Sequence, residues 1–156
     1  MKQVLIKDVC NLSETAYLAM PETTMLQELA NRFAHEHGIR AIFLVDSRQR
    51  FTGMVRRIDL LKWMYLQLFG KTGGEKPSTS EILRLTFAKT AKDLARGYPT
   101  TIGVKLQDNL QTALDKMIEN REAIIPVLDA DGKIAGDLKA SDVLLKALEM
   151  ASQTGL

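Results

Sequence analysis

The sequence predicts an α/β fold made of two copies of a β-α-β-β-α unit, and three observations carry that prediction. Residues 124–145 read IIPVLDADGKIAGDLKASDVLL, and residues 41–62, a constant 83 positions earlier, read AIFLVDSRQRFTGMVRRIDLLK. Asp129 thereby falls on Asp46, Gly136 on Gly53 and Asp142 on Asp59. Two further segments repeat in the same order. Ile6-Lys7-Asp8-Val9 matches Ala91-Lys92-Asp93-Leu94 at an offset of 85, and Thr24-Met25-Leu26-Gln27 matches Asp108-Asn109-Leu110-Gln111 at 84. Three matching segments in one order mark an internal duplication. Within each copy, short apolar runs of strand length alternate with apolar residues at helical spacing.

The elements follow in chain order. Residues 16–20 and 100–104 are short β-prone runs and read as the opening strands of the two copies. Thr24 and Asp108 are N-cap candidates, each followed three residues later by a glutamine, Gln27 or Gln111, that returns the bond. Helices start there. Met25, Leu26, Leu29, Ala30 and Phe33 form the apolar stripe of the first, and Leu110, Ala113, Leu114, Met117 and Ile118 that of the second. Residues 42–45 and 124–128 are apolar throughout and read as buried strands, with Pro126 expected at a strand start or edge because it has no N–H to donate. The turns at 46–50 and 129–133, the second containing Asp131-Gly132, lead into strands at 51–55 and 134–138. Helices then begin near Asp59 and Asp142, where a carboxylate meets the positive end of the helix dipole, and Ser141 is a cap candidate for the second. Between the copies, residues 71–80 read KTGGEKPSTS, a loop by composition, and Ser78 with Glu81 forms a capping box for a helix over 81–88. The domain reading is a first repeat at 1–69, a linker loop and short helix at 70–88, and a second repeat at 89–156, together one compact module.

Bulk properties narrow the function classes. At 156 residues, 46% of them apolar and 26% charged, the chain has a globular composition rather than a disordered or fibrous one. A net charge of +2 is too small for a dedicated nucleic-acid binder, and Arg48, Arg50, Arg56 and Arg57 gather without a nucleic-acid motif. The single cysteine, Cys10, fits a reducing compartment, and the N-terminal apolar run is shorter than a signal peptide needs, so a cytoplasmic protein with no membrane association is expected. His35 and His37 lie two apart, a spacing that points them in different directions on a helix, and no other ligand completes a metal site around them. There is no glycine-rich phosphate loop and no nucleophile-base pair, so an enzyme is not expected.

The apolar-Pro-Val-apolar-Asp run from Ile125 to Asp129, the turn Asp131-Gly132 and a duplicated Gly-to-Asp signature resemble the CBS domain, in the tandem arrangement called a Bateman module. Gly53-Met54-Val55-Arg56-Arg57-Ile58-Asp59-Leu60-Leu61 fits that signature, and Gly136-Asp137-Leu138-Lys139-Ala140-Ser141-Asp142-Val143-Leu144 fits it with one polar exception. The resemblance implies two α/β halves packed with pseudo-two-fold symmetry. It also implies clefts between them for an adenine nucleotide (AMP, ADP, ATP or S-adenosylmethionine), a regulatory ligand rather than a required cofactor. An energy-sensing module of this kind signals by conformational change or by binding an effector, which the sequence does not name. The resemblance further implies a homodimer formed through residues 60–69 and related helices; that segment carries Leu60, Leu61, Met64 and Leu68 on one face and Trp63, Leu66 and Phe69 largely on another, more apolar surface than one core contact needs. The alternative is a ligand-free dimerisation or protein-interaction scaffold.

Carried over by position, the ribose ligands are Asp59 and Asp142. Each is equally suited to cap its helix. Where the family carries Thr or Ser against phosphate, this sequence has Arg56 and Lys139. A cation there can meet phosphate through charge-assisted bonds, fold onto the neighbouring aspartate, or stand in solvent as a plain charge. On the adenine side the resemblance points to Thr100, Thr101 and Ile102 with Ala123, Ile124, Ile125 and Pro126 in the second repeat. The first-repeat counterparts are Tyr17, Leu18, Arg40, Ala41 and Ile42, all of which also suit a core or sheet edge. Ser141 keeps a hydroxyl beside Asp142, whereas Ile58 supplies none and Phe43 stands at the proline position, so the second repeat is the favoured site.

Overall fold

The computed structural model describes residues 3–10, 15–74 and 76–153, and these divide into two compact units. One contains Ala16–Arg48 and Thr52–Pro99; the other contains the residues before Ala16, Gln49–Phe51 and the chain from Thr100 onward.

In the first unit β1 (Tyr17–Pro21), α1 (Leu26–His35), β2 (Ala41–Val45), β3 (Phe51–Arg56) and α2 (Arg57–Phe69) follow the expected order, and α3 (Thr79–Phe87) and α4 (Ala91–Leu94) come after them. The sheet order is β1-β2-β3, with β1 parallel to β2 in a register running from Tyr17↔Ala41 to Pro21↔Val45. All five residues of β2 are buried, which accounts for its unbroken apolar run in the centre of the sheet. Leu26, Leu29 and Phe33 of α1 and Leu60 and Trp63 of α2 enclose one core with Ile42, Leu44 and Val55, and Leu85, Leu94 and Ala95 close it. Gly70 ends α2 in the left-handed conformation, its N–H donating to Leu66 O at 2.9 Å.

The second unit holds a 3-10 turn at Ile6–Asp8, β4 (Val104–Lys105), α5 (Leu110–Asn120), β5 (Ile124–Leu128), β6 (Ile134–Lys139) and α6 (Ala140–Gln153). Its sheet order is β4-β5-β6, with β4 parallel and β6 antiparallel to β5.

The units exchange their leading segments relative to the repeats. Residues 4–7, first in sequence, bond to the start of α5: Leu110 N donates to Val4 O (2.9 Å), Ile6 N to Asp108 O (2.8 Å) and Lys7 N to Leu106 O (3.0 Å). The equivalent residues 89–92 bond around the start of α1: Leu26 N donates to Lys89 O (3.1 Å), Ala91 N to Thr24 O (2.8 Å) and Lys92 N to Glu22 O (2.9 Å).

Several local expectations are corrected. The strand expected at 100–104 is a 3-10 turn, Thr100–Ile102, followed by a two-residue strand. The β-propensity of Thr-Thr-Ile yields to burial of Ile102 beneath two exposed threonines. Thr24 is not the cap of α1: its hydroxyl donates to Pro21 O at 2.7 Å, and Met25, the exposed residue at the cap position, leaves the apolar stripe. In α5 the cap is Asn109, accepting from Thr112 N at 2.8 Å, while Asp108 accepts from Lys105 N within its own turn. Ser141 lies inside α6 rather than at its cap. Pro126 sits within β5, tolerated there because the ladder with β4 covers only Val127 and Leu128. The capping bond Glu81 N to Ser78 Oγ is present at 3.2 Å.

Candidate functional site

In each repeat the candidate site lies where a strand passes directly into a helix. In the second, β6 ends at Lys139 and α6 starts at Ala140, so the chain turns with no loop. Asp142, three residues on, accepts from Lys139 N at 3.3 Å, and Ala140 N donates to Ala123 O at 2.8 Å. Strand pairing sets Ile124 opposite Lys139 and Pro126 opposite Asp137. The structure therefore gathers Asp142 and Lys139 with Ala123, Ile124, Ile125 and Pro126. Ser141 is exposed beside Asp142; Thr100 and Thr101 are exposed on their turn and connect to the group through the sheet, where Val104 pairs with Val127.

Lys139 is folded inward. Its Nζ lies 3.2 Å from Asp137 Oδ1 and 3.6 Å from Asp142 Oδ2, with Asp137 fully buried and Lys139 only 8% exposed. Asp137 is the member of this candidate-site cluster that sequence reasoning missed. It appeared only as a polar exception in an apolar signature, yet Asp137 and Lys139 are two apart on one strand and so share a face, which is the signal for a buried ion pair. Cys10 is close enough to feel this cluster. Burial pushes its thiol above the ordinary value, its own backbone hydrogen bond opposes this, and of the neighbouring charges Asp142 and Asp137 add to the rise while Lys139 offsets it.

The first repeat is built alike and filled differently. Asp59, 8% exposed, stands in the first turn of α2 and accepts from Arg56 N at 2.9 Å. The Arg56 guanidinium reaches both carboxylate oxygens, Nη2 to Oδ1 at 3.2 Å and Nε to Oδ2 at 3.4 Å, and lies 4.9 Å from the centre of the Tyr98 ring. Nothing in the repeat pattern marks Tyr98. Arg57 donates to Ile39 O at 2.8 Å, which ties the start of α2 to the segment leading into β2. Ala41 and Ile42 are buried in that strand, paired with Tyr17 and Leu18, and Tyr17 stacks on Phe43 at 4.8 Å. Arg40 is exposed, its N–H donating to Ala16 O. Of the four clustered arginines, Arg56 and Arg57 are thus engaged inside the fold.

Among the described residues no group of three or more His, Cys, Asp or Glu is arranged to hold a metal ion, and His35 bonds to Asn31 O at 2.8 Å. No described helix is long and apolar enough to cross a membrane.

Two three-stranded sheets, each followed by a helix that carries an aspartate in its first turn, define a tandem repeat fold, and comparison with known proteins names it. The sequence matches the CBS domain family twice, over residues 6–66 and 91–149, and the chain belongs to that family. CBS domain-containing protein CBSX1, chloroplastic, of Arabidopsis thaliana is 26% identical over 148 residues, covering 88% of this chain and 61% of that protein. The chain thus spans about three fifths of that relative's length. Among solved structures, a CBS domain-containing protein from Thermotoga maritima superposes with a TM-score of 0.71 at 25% identity, covering 96% of this chain and 97% of that one. CBSX2 in complex with AMP gives 0.67 at 22% identity, covering 94% and 98%. The CBS domain pair of protein MJ0100, in complex with 5′-methylthioadenosine and S-adenosyl-L-methionine, gives 0.65 at 15%, covering 96% and 99%. At these identities the last two speak to the fold.

Proposed function

We propose that the chain is a regulatory module that binds an adenine nucleotide or related adenosine compound, with Asp142 of the second repeat holding the ribose. The observation that carries this reading is the placement of Asp142. A carboxylate fixed at a strand-to-helix junction, beside the exposed Ala123 and the β5 backbone, offers a rigid acceptor pair for adjacent hydroxyls next to an apolar edge. Ser141, Lys139, Thr100, Thr101, Ile102 and residues 123–126 complete the proposed site. CBSX2 holding AMP and the MJ0100 pair holding adenosine-derived ligands support it. The first-repeat site at Asp59, Arg56, Tyr17, Leu18, Arg40, Ala41 and Ile42 ranks second, because Arg56 already occupies both oxygens of Asp59.

The two repeats and the linker at 70–88 act in this proposal as one sensor, without catalysis, in the cytoplasm, reporting energy state to an effector and pairing with a second copy. The ligand-free scaffold is the weaker reading, since solved CBS pairs include complexes with AMP and S-adenosylmethionine.

A thermal-shift panel of AMP, ADP, ATP and S-adenosylmethionine tests it. A ligand at one hundred times its Kd stabilises by about 2.7 kcal/mol. For a chain of this size that raises Tm by about 5–10 °C. Asp142→Asn should abolish more of the shift than Asp59→Asn. An unchanged Tm with every adenosine compound rejects the sensor.

A further inference from the structure

Helix α3 lies between the two repeats and has no counterpart among the described elements of the second, so the duplication does not account for what it carries. One of its faces is committed to the core, where Leu85, 3% exposed, packs in one cluster with Trp63 of α2. The other face is open. Leu83 and Phe87, four apart and therefore on the same side of the helix, are 53% and 70% exposed. Beside them α3, α4 and the 3-10 turn at Ala95–Gly97 border a groove of about 660 Å³. Small-molecule sites span about 300–1,000 Å³, so the groove has the size of one.

The charges around the groove are unevenly committed. Glu81 lies 3.7 Å from both Lys62 Nζ and Arg84 Nη2, and Arg84 also donates to Leu94 O at 2.8 Å, which fixes its guanidinium. Asp93 accepts from Lys89 N and Thr90 N. Both carboxylates are thus engaged within the fold. Arg96 is exposed, and its guanidinium makes no hydrogen bond or ion pair with any described residue. Its charge reaches the Asp93 carboxyl, which is lowered first by the Lys89 N–H and only last by Arg96. The group left available at the rim is therefore a guanidinium beside an apolar wall.

We propose that this groove binds a small amphipathic carboxylate, an aliphatic or aromatic acid, with its apolar body on Leu83 and Phe87 and its carboxylate on Arg96. The proposal is independent of the adenosine site. A guanidinium fork matches the two oxygens of a carboxylate, and an apolar acid supplies that head together with a body that covers the exposed side chains. A cation with the same body would meet the charge of Arg96, and a polar anion would leave Leu83 and Phe87 in water. A protein interface normally buries about 800 Å² on each partner, far more than two side chains offer.

The test is isothermal titration of the full chain with decanoate and with decyltrimethylammonium, which pair similar apolar bodies with opposite charges, each kept below its micellar concentration. Decanoate should saturate and bind about tenfold tighter or more. Arg96→Glu should bring the two probes to within about threefold of each other or reverse their order. Phe87→Ser should weaken decanoate by about fivefold or more. Both side chains are exposed, so neither change should unfold the chain. Equal binding of the two probes, or a decanoate preference that survives Arg96→Glu, overturns the proposal. So does decanoate binding indifferent to Phe87→Ser, which would place it on the open rows of α2 or α6. A chain that binds neither probe also overturns it; a drop in mass by light scattering on Phe87→Ser would then assign the groove to a second copy.

Discussion

Arg56 and Lys139 occupy the same place in the two repeats, and the fold commits to them very differently. The Arg56 side chain is 37% exposed and pairs with an Asp59 side chain that is 9% exposed, whereas that of Lys139 is 10% exposed and sits against a carboxylate with no exposure at all. Exposed pairs contribute little, about 0–1 kcal/mol, because water competes for both ions. Removing one partner of a buried pair instead strands the other in a poorly solvating interior, at a cost of about 3–5 kcal/mol. Lys139→Ala is therefore expected to destabilise by about 3 kcal/mol or more, and Arg56→Ala by less, because the guanidinium is partly solvated and Asp59 keeps the backbone N–H of residue 56. Urea unfolding of the two variants checks this; equal losses would show that the Asp137–Lys139 pair is not the buried interaction described. At this scale Asp59 and Asp142 were legible in the sequence because a repeated carboxylate at a helix start has a local cause. Asp137 and Tyr98 were not, since burial of a charge and stacking of Arg56 on a ring 42 residues away depend on tertiary packing.

Elements were legible where periodicity and length agreed, as in β2, β5 and the helices after Gly53 and Gly136. They failed where the partner of a short segment lies far along the chain. The segments at 6–9 and 91–94 were matched as repeat equivalents, but nothing local shows that each bonds to the start of the other repeat's helix. Asp93 secures the second of them. Its Oδ2 accepts from Lys89 N at 2.9 Å and Thr90 N at 3.1 Å, and these bonds, with Lys89 first, hold its carboxyl below the usual range. The unfolded chain lacks those donors and keeps an ordinary pKa near 4. Because the folded value is the lower one, the stabilisation is complete above about pH 4 and disappears as pH falls through the folded pKa. Asp93→Ala should cost about 1 kcal/mol at pH 7, the usual worth of such a cap, and the difference from the parent chain should vanish in acid. Stability curves for both chains from pH 7 to pH 2 measure it; a difference that persists unchanged in acid assigns the loss to packing rather than to the carboxylate.

Over the whole molecule, the apolar surface left uncovered is concentrated on a few helices. Leu61, Leu68 and Phe69 of α2 are 64%, 67% and 61% exposed, and Leu144, Leu145 and Leu148 of α6 are similarly open. The first helix of each repeat, α1 in one and α5 in the other, adds a neighbouring groove, with Ala30, Phe33 and Met64 lining the first and Met117, Ile118 and Val143 the second. Scattered apolar residues on a surface need no explanation, but contiguous rows on equivalent helices of two repeats do. A second copy of the chain meets the requirement with least assumption, because a two-fold interface needs only a self-complementary patch. Charge does not oppose it, since the net charge is only +2. Light scattering on the purified chain is expected to give twice the 17.4 kDa protomer mass. The double substitution Leu61→Glu with Leu68→Glu, or Leu145→Glu with Leu148→Glu, should return it to the protomer mass. Both pairs are exposed already, so circular dichroism and Tm of the isolated protomer should stay those of a folded chain. A parent chain that is monomeric at every concentration, or a dimer indifferent to both double substitutions, would assign these rows to a different partner.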